Sequence, residues 1–115
     1  MAKKMKTMVA VVKSLGKFIN ETALLSVKGS GRPAANQFVL TFENGQVFKS
    51  YNTLIAARTH KGEVYCVEPS YTQGAKNGGY STTTQTYLGQ FLKGVNLPTF
   101  REKVASGEYT IVESY

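Results

Sequence analysis

The chain has 115 residues, 42% hydrophobic and 18% charged, which suits one globular domain and leaves little room for a second. Fourteen Lys and Arg against seven acidic residues give a formal charge of +7 at pH 7. All seven acids are Glu, and there is one His and one Cys, which excludes a His/Cys zinc cage, an internal disulfide and any mechanism that needs an aspartate.

Lys3, Lys4 and Lys6 precede the apolar run Met8–Val12, which is too short for a secretory signal. No stretch approaches the ~20 apolar residues of a membrane span, so a cytoplasmic protein with Cys66 as a free thiol is expected. Met5, Met8, Val12, Leu15 and Ile19 share one stripe of a helical wheel, with Lys6, Lys13 and Lys17 on the other side. This predicts a basic amphipathic helix over about residues 4–19. Val9, Val11, Val12 and Gly16 keep a strand open as the alternative.

Residues 22–67 read as an antiparallel meander. Thr22–Lys28 is a short strand, ended by the Gly29–Pro33 loop. Gln37–Phe42 is the next, placing Phe38, Leu40 and Phe42 on one face. Asn44-Gly45 is a strong hairpin signal, as a turn in which both positions take positive φ. Strands Gln46–Tyr51, Thr53–Arg58 and Glu63–Val67 follow, on connections too short for helical crossovers. After a glycine-rich loop, Ser81 or Thr82 caps a helix carrying Tyr87, Leu88, Phe91 and Leu92, which Lys93-Gly94 stops. Asn96-Leu97-Pro98 starts a second helix through Phe100 and Val104, and Glu108–Val112 is a last strand that can return to a sheet edge. The expected fold is a single α+β domain, 1–115.

Three blocks in this order carry a resemblance. They are Phe42–Ala56 (FENGQVFKSYNTLIA), Tyr80–Leu92 (YSTTTQTYLGQFL) and Lys103–Tyr109 (KVASGEY). Together they resemble small uncharacterised proteins of bacteriophages and prophages, marked by Phe-x-Ser-Tyr-x-Thr-x-Ile-Ala and Tyr-Ser-x-Thr-Thr. The likeness spans roughly residues 37–112. Thr86 stands where those proteins have Lys, and Gly78-Gly79 stands where they have Trp-Asp. The resemblance implies a phage origin, hence a host bacterial cytoplasm, and a shared fold, and it implies no reaction.

Gly74–Ser81 has the glycine and serine spacing of a P-loop, but Tyr80 occupies the position of the phosphate-binding lysine, and there is no Asp for a magnesium shell. What survives is an anion site at a helix start, formed by Ser81, Thr82 and Thr83 with neighbouring Thr84. Ordinary capping explains the same residues. His60 sits in a polar turn and Cys66 in an apolar strand, so a base–thiolate pair is not expected. No catalytic residue, metal or cofactor is predicted.

The charge is uneven: residues 1–61 carry ten basic and two acidic residues, a net of +8, and residues 62–115 a net of −1. Lys13, Lys17, Lys28, Arg32, Lys49, Arg58 and Lys61, with Tyr51 and Tyr80, make up a candidate nucleic-acid surface, cations for phosphates and phenol rings for bases. Val47, Lys49 and Tyr51 share one strand face, with Arg58 on the next strand. The expectation is a small non-enzymatic protein that binds DNA or RNA. The alternative is a phage effector that binds and inhibits a host or defence protein. No membrane partner is expected, and a homodimer is compatible with the chain.

Overall fold

A computed structural model describes residues 6–25, 31–68 and 80–113. The elements run α1 (Met8–Ser14), β1 (Phe18–Leu25), β2 (Pro33–Phe42), β3 (Gly45–Ser50), β4 (Thr53–Thr59), β5 (Val64–Val67), α2 (Thr82–Phe91), α3 (Leu97–Ser106) and β6 (Tyr109–Val112). The six strands form one sheet in sequence order, antiparallel except for β6, which lies parallel to β5. The parallel pair is possible because the crossover between them carries α2 and α3. This is the expected α+β fold, and among the described residues no helix is long and apolar enough to cross a membrane.

The first helix is shorter than the residue 4–19 stripe predicts. Thr7 caps it by accepting a hydrogen bond from the Ala10 N–H at 3.2 Å, and it ends at Leu15. Gly16 follows at φ +83°, where a Cβ would stand 2.8 Å from Glu43 Oε1. That left-handed residue turns the chain, so Phe18 and Ile19 belong to β1 and not to a helix face. Met8, Val11 and Leu15 are the buried side of α1.

The β2–β3 hairpin is correct in place and wrong by one residue in register. Phe42 pairs with Gly45, so the two turn residues are Glu43 and Asn44, and Asn44 does not take positive φ. Gly45 is required for a different reason: a Cβ there would lie 2.5 Å from the Arg58 carbonyl oxygen and 2.8 Å from Leu15 Cδ2.

Register partners share a sheet face, which fixes the layers. Val47 and Ala57 face α1, whose Leu15 lies against Gly45 on the same side. Phe48 faces α2 and stacks on Phe91, ring centroids 5.8 Å apart. Val47 and Phe48 are both fully buried, as expected of a strand covered on both faces. Phe42, Phe48 and Phe91 enter the core as their spacing predicts, whereas Phe38 is half-buried beneath Lys49. At the β6 edge, the Met8 N–H donates to the Glu113 carbonyl and the Glu113 N–H to that of Lys6. No further strand pairs with the outer edge of β1 among the described residues.

Candidate functional site

Three turns meet at one end of the sheet. The Asn44 N–H donates to the Leu15 carbonyl, the Glu43 N–H to the Lys17 carbonyl, and the His60 N–H to the Asn44 carbonyl. The end of α1, the β2–β3 turn and the β4–β5 turn are thereby laced into one rim. Lys13 and Lys17 reach it from α1 and the bend that follows, Lys61 from the β4–β5 turn, and all three are exposed. The rim also holds two carboxylates engaged in its own turns. Glu43 Oε1 accepts from the Lys17 backbone N–H at 2.7 Å, and Glu63 Oε1 accepts from the Thr59 hydroxyl at 3.4 Å.

The remaining candidates divide. Arg58 is a correction. It pairs with Gln46, so it lies on the α2 face of the sheet, whereas Lys49 lies with Val47 on the other. Its Nη1 donates to the Phe91 carbonyl at 2.7 Å, its Nη2 to Gln46 Oε1 at 2.6 Å, and the guanidinium sits 4.8 Å from the Phe91 ring centroid. Burial lowers its pKa, against a smaller opposing effect of Tyr109. Arg58 is therefore a clamp on the C-terminal end of α2, where a cation also suits the helix dipole. Lys49 is half-buried, paired with Glu21 at 2.9 Å and placed over Phe38.

Tyr80 is also a correction. It is 6% exposed, its hydroxyl donates to the Val67 carbonyl at 2.6 Å, and burial raises its pKa. A ring held in the core offers no face to a base. Tyr51 is 54% exposed, in the β3–β4 turn at φ +56°, which is the opposite end of the sheet from the rim. Arg32 is exposed just before β2, also at that far end, about 30 Å of extended chain from Phe42. Lys28 lies outside the described residues.

The rim gathers residues that the sequence pattern did not single out. Lys93 is exposed at the C-terminal end of α2, which Arg58 ties to β4 beside the rim. His60 is exposed in the same turn as Lys61. Phe18, next to Lys17, is 55% exposed, with its ring edge-on to Phe42 at 5.6 Å. A strand assignment for residues 18–19 was the signal that would have revealed it.

Ser81 and Thr83 do not share a cradle, and the Thr82 side chain lies outside the described residues. Ser81 is the N-cap of α2, accepting from the Thr84 N–H at 3.3 Å, while Thr83 is exposed. Ser81 Oγ also donates to Thr84 Oγ1 at 3.0 Å, and Thr84 meets the Ser50 hydroxyl at 3.4 Å. Cys66 is fully buried on β5, and desolvation pushes its thiol up to about 12, so it is no thiolate at neutral pH.

A family model described as a family of unknown function, DUF8033, matches residues 26–107. No curated protein and no solved structure matches the chain. The matched residues include Lys61, Lys93, Ser50 and Ser81, and they exclude Lys13, Lys17 and Phe18.

Proposed function

The chain belongs to this family of unknown function, so its role is read from its own surface, and we propose that it binds single-stranded nucleic acid, without an enzymatic step, at the rim of Lys13, Lys17, Lys61 and Lys93. The observation that carries the reading is the lacing of three turns through Asn44, which brings cations from separate stretches of sequence to one end of the sheet. Lysines track phosphates as mobile point charges, and an aromatic face beside them accepts a base. Phe18, adjoining Lys17, supplies the stacking face, since Tyr51 lies at the far end of the sheet and Tyr80 is buried. Binding of this kind follows backbone charge more than base sequence.

Fluorescence anisotropy with a labelled oligothymidine tests it at low salt. Lys17→Glu with Lys61→Glu lowers affinity at least tenfold, while Tyr51→Ala, at the far end, changes it less than twofold. Equal affinities across all three proteins would refute the assignment.

A second reading, a phage effector that docks on a host or defence protein, draws support from β1. Phe18 and Ile19 are 55% and 58% exposed on a strand whose outer edge is unpaired among the described residues. Exposed apolar side chains on a sheet edge invite a protein partner. Capture of one stoichiometric protein from nuclease-treated bacterial lysate, lost in Ile19→Lys, would favour this reading over the first.

A further inference from the structure

The far end of the sheet carries a second polar grouping of a different kind. Gln37 on β2 lies directly across from Ser50 on β3, so the two side chains share a face. Ser50 identifies that face as the one under α2, because its hydroxyl meets Thr84 in the helix's first turn. The Gln37 side chain is completely enclosed, and among the described residues neither its Nε2 nor its Oε1 has a hydrogen-bond partner. Ser50 and Thr84 are 3% and 5% exposed, and Ser81 completes the chain of hydroxyls. The ten-residue α2 directs its N-terminus, the positive end of its dipole, at the same place.

Fully buried amides are almost always satisfied, and a native exception calls for an explanation. We propose that Gln37, Ser50, Thr84 and Ser81 form a binding site for a small neutral group presenting a hydrogen-bond donor beside an acceptor. That is the pattern of a nucleobase edge or a primary carboxamide.

The chemistry follows from what Gln37 lacks. Nε2 needs an acceptor and Oε1 needs a donor, and the two lie side by side on one planar amide. A ligand with an adjacent donor and acceptor fills both in a single coplanar contact, as glutamine does on an adenine edge. An oxyanion satisfies Nε2 alone and sets its charge against Oε1, so the helix N-terminus here serves the acceptor atom of a neutral group. The hydroxyls of Ser50, Thr84 and Ser81 both donate and accept, and they adjust to whichever edge enters. Because Gln37 is fully enclosed, a ligand enters only when the first turn of α2 lifts from β3; Ser81 there is half-buried and Thr83 exposed. The site is independent of the basic rim, which lies at the opposite end of β3.

The test observes the side-chain amide of Gln37 by nuclear magnetic resonance in the full chain, assigned by its disappearance in Gln37→Met. Adenosine, cytidine, guanosine and uridine are titrated one at a time, with nicotinamide as the carboxamide probe and inorganic phosphate as the anion control. The expected result is a saturable shift of the Gln37 signal together with the backbone amides of Ser50 and Thr84, absent for the latter two in Gln37→Met. A response to nucleosides identifies a base edge, and a response to nicotinamide identifies a carboxamide. No response to any of these at millimolar concentration would overturn the site. So would a Ser50 and Thr84 shift that persists unchanged in Gln37→Met, or a response to phosphate alone.

Discussion

Replacing Gln37 by Met should make the protein more stable. The Gln37 amide is fully buried on the sheet face that carries Ser50, with both polar atoms unpartnered among the described residues. Folding therefore strips the amide of water and returns no hydrogen bond, a cost of about 1–3 kcal/mol. Methionine is unbranched and close to glutamine in length, so it fills the same space without that desolvation cost. Core swaps that keep volume cost under about 1.5 kcal/mol, so the net expectation is a gain of roughly 1 kcal/mol. Urea denaturation followed by circular dichroism reads this as a higher midpoint with an unchanged slope. A loss of 1 kcal/mol or more would refute the reasoning, because it would mean that the amide makes bonds in the folded protein that methionine cannot replace. The native glutamine thus spends stability at this point, in keeping with a site that is selected for something other than folding.

Two further outcomes follow from the clamp and the buried thiol. Arg58→Lys keeps the charge but loses the two-pronged grip on the Phe91 carbonyl and Gln46 Oε1, and should cost about 1–3 kcal/mol in thermal or urea denaturation. The folded variant should bind oligothymidine within twofold of the parent, because the guanidinium faces α2 and not the rim; a tenfold loss would return Arg58 to the binding surface. Cys66 has its pKa raised by burial from 9.0 to about 12, so the folded state holds a proton that the unfolded chain releases. Its contribution is fully present below pH 9 and is lost as pH rises toward 12, at up to about 1.4 kcal/mol per pH unit. Cys66→Ala should flatten that part of the stability–pH profile by one proton, and an identical profile would contradict the assignment.

The strand meander and the later helices were legible because local signals and tertiary demand agree there. Asn96 and Gly107 bracket α3 as cap and left-handed terminator, and Ser81 caps α2. Local signals misled where a distant contact decides. The α1 stripe runs on to Ile19 by spacing, but the approach of Glu43 to Gly16 ends the helix and sends Phe18 into the sheet. Asn44-Gly45 marks a hairpin, yet the glycine answers to the Arg58 carbonyl and the turn falls one residue earlier. Among the site candidates, Lys13, Lys17 and Lys61 come together because turns at one sheet end must, given strands of similar length. Arg58 and Tyr80 could not be excluded by type alone: a guanidinium bound to a helix-end carbonyl and a phenol bound to the Val67 carbonyl are chosen by packing partners far along the chain. Gln37 was invisible for the same reason, since a glutamine in a strand shows its lack of partners only once the chain has folded around it.

The central claim, that the lysine rim holds a polyanion, is tested most directly by the salt dependence of oligothymidine affinity. With three to four phosphates neutralised, log K should fall against log salt with a slope of about −2 to −3, and Lys13→Gln, Lys17→Gln and Lys61→Gln should each reduce its steepness by roughly 0.7. A slope near zero, or a slope that the triple variant leaves unchanged, would contradict the account.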